Sequence, residues 1–261
     1  MDRTIGRISK ADWQNSWMGV HIKIAPHVIN FASSYGPSGE YHDGWQWHKG
    51  RQVRVFREST VAPESVTPVI AGLRSLIERI GLKIRVIDLG AHKSIQPAID
   101  YAVRPEQVID GEEFGSYLVA DPLRDETMGG VPHASVLVTD RYLALGRENW
   151  GQSNFYQGCM IISLPGSRQK NQDFITSVAM HETGHLLGLP LHHDTCSEDF
   201  EVEGYPEVED CLMLWRASTN EICPRCEDAI KYFWQGLQQN TLPAGLLEFA
   251  KQQREKLRII T

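Results

Sequence analysis

The spacing of hydrophobic residues divides much of the chain into short elements with one of two periods. Alternation of apolar and polar residues, or a short apolar run, predicts strands, because successive side chains of a strand point to opposite faces. A helix is predicted where apolar residues recur every three or four positions from Pro68 to Ile80 and stop at Gly81. A helix followed by a strand indicates an α/β layer. The predicted strands are residues 21–24, 52–56, 83–88, 134–140 and 158–164.

Two further apolar faces lie in the last part of the chain. Residues 229–237 and 246–257 have helical spacing, and we expect both helices to pack on the core. The segment 90–130, by contrast, contains scattered prolines, glycines and acids. We interpret it as a connecting loop with one short helix at 111–119.

Length and composition indicate an ordinary globular protein. The 261 residues, 41% of them hydrophobic, are enough for one large domain or two lobes. No apolar run approaches the roughly 18 residues of a membrane span, and no apolar signal core follows the first residues. We therefore expect a cytoplasmic protein with reduced thiols and no membrane partner.

The negative charge is concentrated in residues 197–210. This stretch holds seven acids and no Lys or Arg. Its charge of −7 therefore equals the formal net charge of the whole chain. The rest of the chain is therefore balanced, and this argues against the basic surface that nucleic-acid binding requires. We interpret the stretch as a solvated flap, with attraction of basic peptides or cations as the alternative. The acids are Glu198, Asp199, Glu201, Glu203, Glu207, Glu209 and Asp210.

A helix with apolar spacing is also predicted for residues 174–187, and it contains an HExxH motif with His181, Glu182 and His185. Residues four positions apart lie on one face of a helix, so both imidazoles can bind one zinc ion. Zinc leaves one position for a water whose pKa it lowers to about 7, and an adjacent carboxylate can take its proton. Glu182 is therefore the predicted catalytic base. Two surface histidines that flank a glutamate are the alternative interpretation.

The chain is predicted to turn immediately after this helix. Gly188 is a natural helix C-terminus, and Pro190 prevents the helix from resuming. A glycine-ended HExxH helix followed by another histidine is the extended zinc signature HExxHxxGxxH, which would put the third histidine at position 191. That position is Leu191, and His192 and His193 follow it. We predict His192 as the third zinc ligand because it is the smaller displacement, and His193 stays open.

Four of the five cysteines lie after the histidine helix, at Cys196, Cys211, Cys223 and Cys226. The last two form a CxxC pair, and such a pair with two further cysteines is the standard ligand supply for a closed structural zinc site. Two disulfides or four buried thiols are the alternatives. Cys159 lies in an apolar run and is predicted to be a plain core residue.

Taken together, these motifs resemble the archaemetzincins, a branch of the metzincin metallopeptidases. The resemblance covers about residues 134–230 and rests on the order of HExxHxxG, histidine, cysteine, the Cys-x-Met unit at 211–213 and the CxxC pair. It implies three histidines on a catalytic zinc, four cysteines on a second zinc, and Glu182 as general base. It also implies that Met213 forms a turn beneath the catalytic metal. The strand at 158–164 matches the sheet edge that pairs with extended substrate in metzincins, with an ordinary strand of the sheet as the alternative.

The chain departs from the family pattern around the third histidine. The family places its first cysteine directly after that histidine, whereas Asp194 and Thr195 precede Cys196 here. The interval from Cys196 to Cys211 is longer than in the family. Some metzincins have a tyrosine two residues after the turn methionine, and here that position is Trp215.

The sequence thus predicts an α/β, metzincin-like mixed sheet with a zinc-binding active-site helix and a smaller, mostly helical C-terminal lobe with a four-cysteine zinc site. We expect a single catalytic domain, 1–261, with an N-terminal lobe of residues 1–188 and a C-terminal lobe of residues 189–261. The expected function is that of a zinc-dependent metallopeptidase with two zinc ions, one catalytic and one structural. Its substrate would be a peptide or protein, hydrolysed by Glu182-assisted attack of zinc-bound water. A zinc hydrolase of a non-peptide amide and a non-catalytic zinc-stabilised binding module are the alternatives.

Overall fold

The computed structural model describes residues 6–11, 47–120, 130–165, 171–189, 192, 200–202, 205, 210–214 and 219–239. The strands are β1 (Gly6–Ile8), β2 (Gln52–Arg57), β3 (Arg85–Gly90), β4 (Ala134–Thr139), β5 (Gly151–Asn154), β6 (Cys159–Ser163) and β7 (Phe200–Val202). The α-helices are α1 (Trp47–Gly50), α2 (Thr67–Ile80), α3 (Gln96–Ala102), α4 (Gly111–Ala120), α5 (Gln172–Leu186) and α6 (Pro224–Gln239). The strand predicted at 21–24 and the helix predicted at 246–257 lie outside the described residues.

The chain divides into two compact units. One comprises residues 31–187, and the other comprises residues 1–30 together with 188–261. The first contains strands β2 to β6 and helices α1 to α5, and the second contains β1, β7 and α6. The helix predicted at 229–237 is confirmed as part of α6. None of the helices in the described parts of the chain has the length and apolar character needed to cross a membrane.

The first unit is built on a five-stranded sheet in the order β3-β2-β4-β6-β5. Strands β2, β3, β4 and β6 run parallel, whereas β5 pairs with β6 in the antiparallel direction. The strands predicted at 52–56, 83–88, 134–140 and 158–164 are confirmed, with bounds that differ by one or two residues. The predicted mixed α/β class is therefore confirmed as well.

The prediction that the strand at 158–164 forms the sheet edge is wrong, because β5 occupies its outer side. In this pairing Gly151 lies opposite Ile162, and Ser153 lies opposite Met160. The sequence of β5, Gly-Gln-Ser-Asn, has no β-branched or aromatic residue, so no pattern predicts a strand there. The strand forms because it satisfies backbone donors and acceptors that β6 would otherwise leave unpaired.

Helices cover both faces of this sheet. All residues of β4 and β6 are buried. On one face, Leu137 and Ile161 pack in a cluster with residues of α3 and α4. Val136 and Met160 point to the opposite face, because strand side chains alternate. Helix α5 lies on that face, since Ser153, the neighbour of Met160 in β5, hydrogen-bonds to a residue of α5.

The interpretation of residues 90–130 as a connecting loop is wrong in part. The helix predicted at 111–119 is confirmed as α4, but a further helix, α3, precedes it. Helix α3 buries Ala98 and Ile99 against the sheet, and Pro97 lies in its first turn. A proline is tolerated there because the first turn of a helix needs no N–H donor. The proline that suggested a loop therefore belongs to a helix start.

In the second unit, the N-terminal segment contacts the acidic stretch and α6. Strand β1 pairs in parallel with β7, which lies inside that stretch. The Lys10 ammonium donates to a carboxylate oxygen of Asp228 at 2.7 Å, and the Tyr205 hydroxyl donates to the same oxygen at 2.8 Å. The interpretation of residues 197–210 as a solvated flap is therefore wrong for residues 200–202 and for Tyr205. Residues 197–199, 203, 204 and 206–209 lie outside the described residues.

Helices α2 and α5 approach each other closely because α2 has a glycine at their contact. A Cβ atom at Gly72 would lie 2.6 Å from the backbone oxygen of Thr176 and 2.8 Å from the Cβ of Ala179. The Thr176 hydroxyl also donates to the backbone oxygen of Pro68 at 3.3 Å. The absence of a side chain at Gly72 thus sets the distance between the two helices.

We expect Gly72→Ala to lower the free energy of unfolding by about 1–2 kcal/mol. The added methyl group overpacks the contact with α5, and this cost exceeds the gain in helix propensity of about 1 kcal/mol. Urea denaturation monitored by circular dichroism measures the change. Ser75→Ala, at an exposed position of the same helix, is the control for propensity and should be neutral or stabilising by up to about 0.5 kcal/mol. Equal stability of the two variants would contradict the close-packing argument.

Candidate metal centre

Helix α5, which contains the HExxH motif, has a defined start and end. The side-chain oxygen of Asn171 accepts a hydrogen bond from the backbone N–H of Phe174 at 3.1 Å, as an N-cap residue does. The chain leaves the helix through Gly188, whose φ of 106° favours glycine. A Cβ atom there would lie 2.4 Å from the ring of Phe233. The helix end predicted at Gly188 is confirmed.

His181 and His185 lie one turn apart on α5 and are half-buried. Their Nε2 atoms are 3.2 Å apart, and their ring planes meet at 79°. Two nitrogens bound at about 2.0–2.1 Å to one tetrahedral zinc ion lie about 3.3 Å apart. The spacing of this pair therefore fits zinc without rearrangement.

His192, the predicted third zinc ligand, belongs to the second unit and is half-buried. His193, the other candidate for the third position, lies outside the described residues. The choice between His192 and His193 stays a prediction.

Glu182 is buried although it is an acid, with 8% of its surface exposed. The hydroxyl oxygen of Ser153 lies 2.8 Å from its Oε2 atom. Gly151 allows this close approach, because a Cβ atom there would lie 2.3 Å from the Cγ of Glu182. Burial raises the pKa of the Glu182 carboxyl, while the charge of His181 and the hydrogen bond from Ser153 oppose the rise. A desolvated carboxyl beside two histidines has the surroundings of a general base.

A second cluster consists of Cys211, Cys223 and Cys226, whose sulphur atoms all lie within 4.8 Å of one another. The Sγ atoms of Cys211 and Cys226 are 3.9 Å apart, and all three residues are free thiols. The disulfide interpretation is therefore wrong for these cysteines. Sulphurs bound at about 2.3 Å to a tetrahedral zinc ion lie about 3.8 Å apart, so the cluster fits zinc. Cys196, the predicted fourth ligand, lies outside the described residues.

Backbone amides point at these sulphurs. The N–H groups of Met213 and Cys223 each donate to the Sγ of Cys211 at 3.4 Å, and the N–H of Cys226 donates to the Sγ of Cys223 at 3.4 Å. Such bonds favour thiolates, the form in which cysteine binds metals. Hydrogen bonds with the sulphurs of Cys211 and Cys223, together with burial, raise the pKa of the Cys226 thiol well above its ordinary value. A bound cation would favour the deprotonated form of this thiol.

Three other residues singled out in the sequence have different outcomes. Cys159 is confirmed as a core residue, with 3% of its surface exposed. Met213 is fully buried beside Cys211, and its role in a turn beneath the catalytic metal stays a prediction. Trp215 lies outside the described residues.

Sequence reasoning missed the two residues that contact the predicted base. Gly151 and Ser153 lie two positions apart, so they point to the same face of a strand. This shared face can be recognised from the sequence only if residues 151–154 are already known to form a strand. Without it, nothing in the sequence connects these residues to Glu182.

No family model matches the chain, and a search of curated proteins finds no match. Similar solved structures include archaemetzincin from Methanopyrus kandleri, with 12% identity, a TM-score of 0.48 and coverage of 70% of this chain and 95% of that chain. Archaemetzincin from Archaeoglobus fulgidus, complexed with malonate, has 14% identity, a TM-score of 0.45 and coverage of 68% and 99%. A zinc-dependent peptidase from Methanocorpusculum labreanum has 16% identity, a TM-score of 0.38 and coverage of 68% and 99%. Two of these three solved structures are archaemetzincins, the family that the motifs resemble.

Proposed function

We propose that the protein is a zinc-dependent peptidase with Glu182 as its general base. The observation that supports this best is a buried carboxyl on the residue that follows His181, one of two histidines whose nitrogens have the spacing of zinc ligands. Burial of an acid is costly unless a cation or hydrogen bonds compensate it. Among the described residues, the Glu182 carboxyl accepts its side-chain hydrogen bond from the neutral hydroxyl of Ser153 rather than from a Lys or Arg side chain. A catalytic role explains why an acid is kept at this position.

His181, His185 and His192 would hold the zinc ion through neutral imidazole nitrogens. A zinc ion there would supply Lewis-acid chemistry, which would polarise a carbonyl oxygen and lower the pKa of a water to about 7. Glu182 accepts the proton of the attacking water and then passes it to the leaving amine nitrogen. The raised pKa of Glu182 suits this work, because the group must first take up a proton and then release it.

An extended peptide is the substrate class that this arrangement favours. Strand β5 pairs with β6 on one side, and among the described residues no strand pairs with its other side. The backbone groups of an edge strand can pair with an added peptide strand. Ser153 contacts Glu182 from β5, so a peptide paired to this strand would run past the base.

A second zinc ion, with a structural role, would be held by Cys211, Cys223 and Cys226, with Cys196 as the proposed fourth ligand. The three described cysteines are at most 7% exposed, as expected for a closed site without a water ligand. Cys226 lies in the first turn of α6. The ion would therefore tie residues 211–214 to the start of this helix.

We expect Glu182→Gln to keep both zinc ions and the folded state but to lower kcat on a peptide substrate by about 10²–10⁴-fold. Glutamine preserves shape and can still accept the hydrogen bond from Ser153, but it cannot take the proton. Steady-state kinetics on a peptide library, with zinc content measured in the same samples, tests this. Asp173→Asn removes a charge from an exposed site on the same helix and should leave kcat unchanged. A zinc-loaded Glu182→Gln protein with undiminished cleavage would remove Glu182 as the base.

The double substitution of Cys223 and Cys226 by serine should reduce the zinc content from two ions per chain to one and lower the unfolding temperature. Structural zinc binding is coupled to folding, so loss of the ion removes stability directly. Elemental analysis of protein purified without added metal and thermal denaturation measure the two effects. Cys159→Ala, which removes a buried thiol outside the cluster, should retain both ions. A zinc content unchanged by the double substitution would rule out the cysteine site.

His192→Ala should lose the catalytic zinc and peptidase activity, whereas His193→Ala should keep most of both. His192 is the proposed third ligand beside the two helix histidines, so its removal would leave two protein ligands. Zinc affinity by competition with a chromogenic chelator and turnover on one peptide distinguish the variants. The opposite pattern would assign the third ligand to His193.

A further inference from the structure

The hydroxyl of Ser153 lies between two acceptors of the same residue. Its Oγ is 2.8 Å from the Oε2 of Glu182 and 2.8 Å from the backbone oxygen of Glu182. A serine hydroxyl has one proton, so it donates to one of these oxygens at a time while it stays within reach of the other. One side chain of β5 thus contacts both the backbone of α5 and the carboxyl group of the proposed base.

The position of Ser153 is fixed because its strand, β5, is paired with β6. It lies opposite Met160 of β6, which is fully buried. Two positions earlier, on the same face of β5, Gly151 leaves space for the Glu182 side chain, since a Cβ atom there would lie 2.3 Å from its Cγ. Gly151 therefore sets how close the side chain comes to the strand, and Ser153 sets the direction of its carboxylate.

The carboxylate of a general base must be oriented toward the proton that it removes. It must also lie within hydrogen-bond reach of that proton, and a displacement of about 1 Å can cost about 100-fold in rate. The Glu182 side chain has several rotatable bonds, and its carboxylate can lose this geometry without any change in the helix. In the described part of the chain, the Ser153 hydroxyl is the side-chain group that hydrogen-bonds this carboxylate.

We propose that Ser153 is a positioning residue that holds the Glu182 carboxylate in its reactive orientation and links it to the strand on which a peptide would pair. This inference rests on the proposed peptidase function. Ser153 acts through Glu182 and takes no proton from the substrate or the water itself. A purely structural role, in which the hydroxyl only ties β5 to the carbonyl of α5, has a different consequence. Its loss would have the same effect whichever side chain stands at position 182.

The test compares Ser153→Thr with Ser153→Val, two residues of similar shape that both favour strands and differ in the hydroxyl group. The zinc-loaded proteins are assayed on one quenched fluorescent peptide. We expect the threonine variant to keep kcat within about threefold of wild type. The valine variant should lose about 10- to 100-fold in kcat, with KM changed by less than about twofold. Both should keep the zinc content and unfolding temperature of wild type.

The same two substitutions are then made in the Glu182→Gln protein. If Ser153 acts through the carboxylate, the valine and threonine variants should differ by less than about twofold in this background. An equal loss in both backgrounds would show a simple tether and overturn the proposal. Ser163→Ala is the matched control, because it removes a hydroxyl of β6 that donates to the backbone oxygen of Arg141 at 2.7 Å. It should leave kcat unchanged.

Crystal structures of the two Ser153 variants give a measurement that does not depend on turnover. We expect one Glu182 carboxylate orientation with threonine and several with valine, and a single shared orientation in both would overturn the proposal. If the wild type cleaves peptides, Glu182→Gln is impaired, and the Ser153 variants are equally active, the positioning role fails while the peptidase function stands. If the wild type cleaves no peptide, or Glu182→Gln is fully active, both fail.

Discussion

Two imidazole nitrogens held 3.2 Å apart on one helix face are the constraint around which the described site is organised. At this distance the two rings either share a proton in a hydrogen bond or turn both lone pairs toward a cation. The second arrangement requires a helix that is fixed in rotation, because a shift of one residue turns a helix face by about 100°. Asn171 fixes where α5 begins, Gly188 fixes where it ends, and Gly72 fixes its distance from α2. These three positions, none of them a proposed ligand, determine where the histidines point.

The same helix geometry directs Glu182 toward the sheet. A residue adjacent to His181 is rotated by about 100° from it, and the Glu182 carboxyl lies against β5 while it still feels the charge of His181. Desolvation there favours the neutral acid, and His181 and Ser153 favour the anion. The composition of β5 follows from this contact. Glycine at 151 and serine at 153 are poor strand residues, but a side chain at position 151 would displace the carboxyl, and the hydroxyl at position 153 supplies its hydrogen bond.

Much of the fold could be predicted because burial leaves a periodic pattern in the sequence. Strands β4 and β6 are apolar runs, and α2 has helical spacing that stops at Gly81. The HExxH and CxxC motifs are equally readable, since one helical turn and one short loop fix their geometry locally. Strand β5 could not be predicted, because contact with Glu182, 29 positions away from Ser153, determines its residues. The position of the third histidine also has no local rule, since it depends on the path of the chain after Gly188.

The two donor sets differ in exposure, and this difference supports different roles for them. Cys211, Cys223 and Cys226 are buried, and the sulphurs of Cys211 and Cys223 accept hydrogen bonds from backbone amides, whereas the three histidines are half-buried. A closed thiolate site holds its metal as part of the fold, and an open histidine site leaves a position for chemistry. The two sites should also differ in how far their structure depends on a bound metal ion. Helix α5 is held by its cap and by packing against α2, so its histidines are arranged before any ion binds. The cysteine cluster joins residues 211–214 to α6, so a zinc ion bound there would contribute to the folding of the segment itself.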